Sequence, residues 1–188
     1  KILPNTNFTD IYIQPAAGDG GTALGVCYYI YHILLGKPRC YEMRDAYTGS
    51  QYGNDKIQET LQAANLQYQT YEVPDLARRS ADLVSNGKVV GWFQGRMEWG
   101  PRALGHRSIV ADPRRADMKD ILNARIKHRE PFRPFAPSIL EEHTKEYFDQ
   151  SYPDPFMLKV YTVLPDKRAE IPAVTHVDRP GRLQTVGR

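Results

Sequence analysis

The sequence has only two cysteines and no long apolar run. Cys27 and Cys40 stand apart and form no Cys-x-x-Cys pair, which excludes a disulfide framework and fits a reducing compartment. No stretch of eighteen apolar residues occurs, and the N-terminus lacks the charged, apolar and small-residue order of a signal peptide. These absences predict a cytoplasmic protein with no membrane partner.

Two widespread catalytic motifs are missing as well. The chain contains no Gly-x-x-x-x-Gly-Lys sequence, which argues against a P-loop nucleotide site, and no Gly-x-Ser-x-Gly sequence, which argues against a nucleophilic serine of the hydrolase type. No serine, histidine and aspartate stand in an order that indicates a triad. No covalent nucleophile is visible, which is consistent with catalysis by binding and positioning.

Positive charge is present, and it is concentrated between Gln94 and Phe135. The whole chain carries a net charge of +3, whereas this stretch holds eight arginines and two lysines against five acidic residues. A guanidinium stays charged and binds phosphate or carboxylate with two parallel hydrogen bonds. Concentrated charge favours a small anionic ligand, although a solvated basic face is the alternative interpretation.

Three glycines recur at intervals of five residues in this stretch, at Gly95, Gly100 and Gly105. Glycine adopts positive φ and allows a ligand to approach the backbone. The glycines follow a predicted buried strand, residues 88–93, and open α/β sheets bind ligands at the carboxyl ends of their strands. The spacing therefore predicts an anion cradle after this strand.

A second segment, Arg129–Pro137, alternates three prolines with two phenylalanines. Proline fixes φ, and phenylalanine has a large apolar surface to bury. We expect a stiff segment that buries Phe132 and Phe135 and holds Arg129 and Arg133 in place.

These two segments carry a resemblance to a known family. The run from Gly95 to Arg114, GRMEWGPRALGHRSIVADPR, and the run REPFRPFAP that ends at Pro137 resemble the signature of the O-carbamoyltransferases that modify nodulation factors and antibiotics. The resemblance implies a YrdC-like domain in which carbamoyl phosphate and ATP form carbamoyladenylate. It also implies a sugar-kinase/actin-like domain that passes the carbamoyl group to a hydroxyl of a small-molecule acceptor. Mg²⁺ is expected to enter with the nucleotide.

The arginine spacing and the resemblance together predict the site residues. Four arginines are expected to face one oxyanion site as catalytic residues: Arg96, Arg102, Arg107 and Arg133. The residues expected to contact substrate or nucleotide are Glu98, Gly100, Gly105, Ser108, Arg114, Asn123, Lys127, Arg129 and His176. Glu98 equally fits a structural ion pair, as does Asp112.

A separate motif stands near the N-terminus. The run Gln14–Gly25 resembles the closing motif of the sugar-kinase/actin-like domain, in which the residue matching Asp19 helps to bind a metal ion. From residue type alone, Asp19 is equally a helix N-cap. The histidine partners would lie before Lys1, so iron or another divalent metal is expected only in a full-length parent.

The hydrophobic pattern predicts an α/β protein. Strands are expected at 11–15, 68–73, 88–93, 137–140 and 156–163, and helices at 23–35, 55–65, 74–86, 117–127 and 141–149. Residues 1–50 are interpreted as the terminal strand and helix of a sugar-kinase/actin-like domain with a crossing segment, and residues 51–188 as an incomplete YrdC-like domain. Cys27 lies in the first predicted helix, and its side chain is expected in the hydrophobic core rather than as a nucleophile.

Three further expectations accompany this division. The chain is expected to be a fragment that is incomplete for turnover and that self-associates through its truncated edges. A nucleic-acid-binding YrdC-like module is an alternative, although nucleic acid is disfavoured because its binders spread basic residues along a face. A non-catalytic interaction fragment is the other alternative. Arg179 and Pro180 depart from the family pattern, which has glycine after the aspartate at position 178.

Overall fold

The computed structural model describes residues 2–187, and its elements are mostly short. The helices are α1 (Ile2–Asn5), α2 (Asp19–Tyr28), α3 (Asn54–Ala63), α4 (Val73–Ser85), α5 (Met118–Ile121) and α6 (Thr144–Tyr147). π-Helical turns extend α2 and α5 over Tyr29–Leu34 and Leu122–Lys127, and 3-10 turns lie at Glu141–His143, Pro165–Lys167 and Pro172–Val174. The strands are β1 (Val90–Phe93), β2 (Arg107–Val110), β3 (Ser138–Leu140), β4 (Tyr161–Thr162), β5 (Pro180–Gly181) and β6 (Gln184–Val186).

The strands pair into small sheets of two strands each. Strands β1 and β2 are antiparallel, with Val90 opposite Val110, and strands β4 and β5 are also antiparallel. Strands β3 and β6 are parallel, with Ser138 opposite Gln184. This mixture of helices and small sheets agrees with the predicted α/β class. The β1–β2 hairpin positions the candidate site, because its connection, residues 94–106, is the arginine- and glycine-rich run.

Within the described residues, buried side chains form three clusters. The first contains Phe148, Tyr161, Val163, Ile171, Val174 and Leu183. The second joins Ala46 to Leu104 and Phe156. The third contains Met118, Leu122 and Ala173. Phe135 packs against both the first and the third cluster, so the proline-rich segment is anchored to the core at this residue.

The helix pattern predicted from the sequence is confirmed in most places. The predicted helices at 23–35, 55–65, 74–86, 117–127 and 141–149 each coincide with a helical segment, and the strands at 88–93 and 137–140 coincide with β1 and β3. Gly36 and Gly87 follow helical segments with φ of 60° and 76°, the left-handed conformation in which helices commonly end at glycine.

Three predicted strands are wrong in whole or in part. Residues 11–15 and 68–73 form no strand, and the predicted strand at 156–163 is reduced to β4. Residue types that favour an extended backbone make a strand only where a neighbouring strand supplies hydrogen bonds. Strands β2, β5 and β6 were not predicted.

The first long helix is largely uncovered in the described residues. Helix α2 has no buried residue, and Val26, Tyr29 and Leu34 in α2 and its π-helical extension are more than half exposed. Cys27 is exposed, so its predicted place in a core is wrong, because nothing in residues 2–187 encloses this helix. No helix within these residues combines the length and the apolar composition that crossing a membrane requires.

Candidate functional site

The loop between β1 and β2 takes its shape from its three glycines. Gly95, Gly100 and Gly105 have φ of 53°, 121° and 107°, values that side-chain-bearing residues rarely adopt. A Cβ atom at Gly100 would lie 3.5 Å from the Cβ of Ala16. The predicted need for positive φ is therefore confirmed, whereas the space at Gly100 would accept a Cβ atom in ordinary van der Waals contact.

The buried carboxylate of Glu98 holds this loop together through hydrogen bonds. Its side chain is fully buried, and Oε1 accepts hydrogen bonds from the backbone N–H groups of Leu104 at 2.7 Å, His106 at 2.8 Å and Arg107 at 3.1 Å. Oε2 accepts from Nε of Arg107 at 2.8 Å. Burial alone would raise the pKa of Glu98, but the hydrogen bonds from Arg107 and the backbone together lower it to about 2. Both carboxylate oxygens are thus used by the loop itself.

A crossing segment from the N-terminal part, residues 46–51, pairs with the same loop. The N–H of Gly49 donates to the carbonyl of Met97 at 2.9 Å, and the N–H of Trp99 donates to the carbonyl of Ala46 at 2.7 Å. The guanidinium of Arg96 donates to the carbonyls of Thr48 and Gly49 at 3.3 and 3.1 Å. Arg96 therefore ties two backbone segments together.

Tyr47 in this crossing segment supports the turn that follows Arg102. Its ring stacks in parallel on His106 with 3.6 Å between centroids, and its hydroxyl donates to the carbonyl of Leu104 at 2.7 Å. Nε2 of Gln184 donates to the same carbonyl at 2.7 Å. Sequence reasoning missed both residues, because neither lies in the arginine-rich run.

A cleft of about 1050 Å³ opens beside the loop. This volume is sufficient for a small organic ligand or a nucleotide. Apolar side chains from α4, β1 and β2 form much of its wall, and Ser108 and Gly105 also line it. Its cationic lining residues are Arg102, Lys119, Lys127, Arg129 and Arg182.

Arg102 lines the cleft with a buried donor that the protein leaves unsatisfied. Its Nε is buried, and no hydrogen-bond acceptor for this atom is found in residues 2–187. Burial is the largest cause that lowers the pKa of Arg102, and the positive charge of Arg182 adds to it, whereas Asp154 acts in the opposite direction. A buried donor without a protein acceptor is left for a water molecule or a ligand to satisfy.

Arg129 is held at the cleft by Asn123. The buried Asn123 donates through Nδ2 to the carbonyls of Pro131 and Arg133 at 3.3 and 3.1 Å, and its Oδ1 accepts from Nε of Arg129 at 2.7 Å. The guanidinium of Arg129 also lies 4.6 Å from the ring centre of Phe135. The amide of Asn123 is therefore occupied by the protein and acts as a positioning group.

The remaining predicted arginines are paired with carboxylates of the protein. Arg107 pairs with Glu98, Arg114 pairs with Asp112 at 2.7 Å, and Arg133 pairs with Glu130 at 3.2 Å. Of the four arginines predicted to converge, Arg102 lines the cleft, whereas Arg96, Arg107 and Arg133 do not. The predicted convergence is therefore wrong for those three, because carboxylates and backbone carbonyls nearer to them take up their hydrogen bonds. Their catalytic roles remain predictions.

The proline-rich segment buries only one of its two aromatic side chains. Phe132 is 72% exposed, so its predicted burial is wrong, whereas Phe135 packs against the core.

Two further predicted site residues, Asp19 and His176, do not line the cleft. Asp19 is the first residue of α2 and is exposed, and His176 stands outside the cleft lining, with Nδ1 at 3.6 Å from the carboxylate of Asp178. Residues 2–187 contain no group of three histidine, cysteine, aspartate or glutamate side chains that fits a metal ion. The metal role of Asp19 remains a prediction for a longer parent.

Comparison with known proteins identifies relatives that match nearly the whole of this chain. Nodulation protein NolO of Bradyrhizobium diazoefficiens is 46% identical over all of this chain and 35% of its own length. Nodulation protein NolNO of Sinorhizobium fredii is 44% identical over all of this chain and 28% of its own length. The 3'-hydroxymethylcephem-O-carbamoyltransferase of Amycolatopsis lactamdurans is 33% identical over 96% of this chain and 32% of its own length.

The chain thus spans about a third of the length of the curated relatives that it matches. Residues 81–188, which include β1, the glycine-rich loop and most of the cleft lining, match the family described as Carbamoyltransferase C-terminus. The chain therefore belongs to the carbamoyltransferase C-terminal family.

Proposed function

We propose that this chain is the donor-activating part of an O-carbamoyltransferase. It binds carbamoyl phosphate and ATP and forms carbamoyladenylate, from which the carbamoyl group passes to a hydroxyl of a small-molecule acceptor. The observation that carries the proposal is the unsatisfied, buried Nε of Arg102 in a cleft lined by cations. The family membership of the chain supports the same activity.

The proposed reaction needs positive charge more than it needs a nucleophilic side chain. Water first cleaves carbamoyl phosphate to carbamate and phosphate. A carbamate oxygen then forms a bond to the α-phosphorus of ATP while the bond between the α-phosphorus and the bridging oxygen breaks, which releases pyrophosphate. Negative charge grows on the phosphate oxygens, and the cations Arg102, Lys127 and Arg129, which line the cleft, are suited to neutralise it.

Mg²⁺ is proposed to enter with ATP rather than in a protein cage. Mg²⁺ commonly binds nucleotide phosphates together with one or two carboxylates and several waters. Asp112 lines the cleft, but both of its carboxylate oxygens accept hydrogen bonds from Arg114. The nucleotide phosphates are therefore the main ligands available to the ion.

We further propose that residues 51–188 belong to a YrdC-like domain and residues 1–50 to the end of a sugar-kinase/actin-like domain. The Gln14–Gly25 motif and the helix α2 that begins within it support this division. The greater length of the relatives supports the proposal that acceptor recognition, and the metal ligands that would join Asp19, lie in other parts of a longer protein.

The proposal is tested by exchange of radioactive pyrophosphate into ATP, measured with the full-length parent and with this chain. We expect exchange that requires carbamoyl phosphate and that is abolished by Arg102→Ala. Arg44→Ala is the matched control, because Arg44 is exposed and pairs with Glu42 outside the cleft. A parent protein that shows no donor-dependent exchange would contradict donor activation.

A further inference from the structure

His106 lines the cleft, and several contacts hold its ring in one orientation. Tyr47 stacks in parallel on the imidazole, with 3.6 Å between ring centroids. Nδ1 lies 2.5 Å from the carbonyl oxygen of Arg96. A Cβ atom at Gly95 would lie 3.3 Å from Cε1 and 3.4 Å from Nδ1, so this edge of the ring lies directly against the loop backbone. The imidazole is therefore held in a fixed position at the cleft.

The contact with Arg96 also determines which ring nitrogen of His106 carries the proton. A carbonyl oxygen only accepts hydrogen bonds, so Nδ1 must be the nitrogen that donates. In the neutral imidazole the other nitrogen, Nε2, then has a free lone pair. Within residues 2–187, no protein group forms a hydrogen bond with Nε2. One nitrogen that donates to a fixed acceptor and one that is free is the arrangement of a general base.

The charged and titratable groups around His106 have partners of their own. Its backbone N–H donates to the carboxylate of Glu98 at 2.8 Å, and that carboxylate is paired with Arg107. The guanidinium of Arg96 and the hydroxyl of Tyr47 both donate to backbone carbonyls. No carboxylate of residues 2–187 forms an ion pair with the imidazole of His106. Nε2 is therefore available to a proton from a ligand or from water.

We propose that His106 is a catalytic residue that moves the proton when water cleaves carbamoyl phosphate. This role rests on the proposed function, in which carbamate must form before the nucleotide reacts. The water oxygen forms a bond to the carbonyl carbon while Nε2 takes one proton of the water. The bond between that carbon and the bridging phosphate oxygen then breaks, and Nε2 gives its proton to the departing phosphate. The products are hydrogen phosphate and carbamic acid, which loses a proton to solvent and becomes carbamate.

Release of phosphate from carbamoyl phosphate tests this role, measured in the presence of ATP above the uncatalysed rate. The measurement uses the full-length parent and this chain. His106→Asn is the informative variant, because its amide N–H can still donate to the carbonyl of Arg96 while Nε2 is removed. We expect kcat to fall about 100-fold or more, the typical contribution of a general base, with little change in KM.

His143→Asn is the matched control for this substitution. Nδ1 of His143 also lies close to a protein oxygen, at 2.6 Å from the carboxylate of Glu146, but His143 is not part of the cleft lining. We expect this variant to release phosphate at the wild-type rate.

Two further measurements separate proton transfer from a structural role of His106. An imidazole changes its charge between about pH 5 and 8, so phosphate release by the wild-type parent should slow as the pH falls through this interval. The residual rate of His106→Asn should not follow that profile, because the variant has no lone pair to protonate. In His106→Ala, added imidazole should restore part of the lost rate, since it can enter the vacated space and take up the same proton.

A wild-type rate in His106→Asn would overturn the proposal. A raised KM with unchanged kcat would also overturn it, because that result assigns His106 to substrate binding. A wild-type pH profile in His106→Asn, or a rate that imidazole does not restore in His106→Ala, would assign the residue a structural role instead.

The same assay distinguishes this role from the proposed function. Phosphate release that depends on His106, without pyrophosphate exchange in the parent, would reject carbamoyladenylate formation and retain the role of His106. Pyrophosphate exchange that persists at the wild-type rate in His106→Asn would retain donor activation and reject the role of His106. A wild-type parent that releases no phosphate from carbamoyl phosphate would reject both.

Discussion

Replacement of Glu98 by glutamine tests how the glycine-rich loop is held together. Glutamine keeps the shape of the side chain but removes its negative charge and one of its two acceptor oxygens. Three backbone N–H groups and Nε of Arg107 now donate to this carboxylate. The variant would therefore leave Arg107 without its counter-ion and place an NH₂ group against either Nε of Arg107 or the loop N–H groups.

The pKa of Glu98 sets the expected magnitude. Folding lowers this pKa from an ordinary value of 4.5 to about 2, and each unit corresponds to about 1.4 kcal/mol. The ionised carboxylate should therefore stabilise the folded chain by roughly 3 kcal/mol. Because the folded pKa is the lower one, this contribution is fully present above about pH 4.5 and is lost as the pH falls toward 2.

Urea unfolding at neutral pH measures the effect, with Glu42→Gln as the matched control. Glu42 also pairs with an arginine, but its side chain is 75% exposed, and such surface pairs contribute about 0–1 kcal/mol. We expect Glu98→Gln to lower the free energy of unfolding by roughly 3 kcal/mol and Glu42→Gln to have little effect. Equal losses in the two variants would refute the role assigned to Glu98.

The pH dependence gives a second test of the same reasoning. Between about pH 4.5 and 2, the wild-type chain should lose more stability than Glu98→Gln does, because only the wild type protonates this carboxylate. Parallel stability curves for the two proteins over that interval would refute the lowered pKa.

Three further variants test other contacts of the site. Arg102→Lys keeps the charge but loses the planar fork, so donor-dependent pyrophosphate exchange in the full-length parent should fall tenfold or more, which corresponds to about 1.5–3 kcal/mol; an unchanged rate would make Arg102 structural. Asn123→Ala removes three hydrogen bonds that fix residues 129–133 and should lower the unfolding free energy by about 1–3 kcal/mol, whereas a smaller loss in urea unfolding would contradict the positioning role. Gly49→Ala places Cβ 2.7 Å from a backbone carbonyl and should cost about 1–3 kcal/mol. Gly91→Ala, where no atom lies within 4 Å, should not show this loss in thermal unfolding.

Local sequence patterns predicted the helices well because each helix satisfies its backbone internally. The predicted stop at Gly87, for example, depends only on the residues around it, and its φ is 76°. Strands depend on a partner that can be distant in sequence. Residues 68–73 have strand-forming side chains, yet they pair with no other strand within residues 2–187.

Strand β2 was missed for the complementary reason. The run Arg107–Val110 stands inside the arginine-rich motif and was interpreted as part of a ligand loop. Its pairing with β1, with Phe93 opposite Arg107, places this arginine at the base of the hairpin beside Glu98. Sequence spacing alone does not show that these two residues meet, because the chain must first fold back through residues 94–106.

The sequence predicted which stretch carries the positive charge, but not which of its arginines remain available to a ligand. Counting charges located the correct stretch, because an excess of arginine beside glycine is visible in the sequence. Which arginine remains available to a ligand depends on the carboxylates that the fold brings near. Folding uses Arg107 and Arg114 in ion pairs, leaves Arg102 unsatisfied, and brings Arg182 to the same cleft from eighty residues away. The ligand site is therefore a property of the folded chain, because both the lining of the cleft and the pairing of its cations depend on contacts between residues that are distant in sequence.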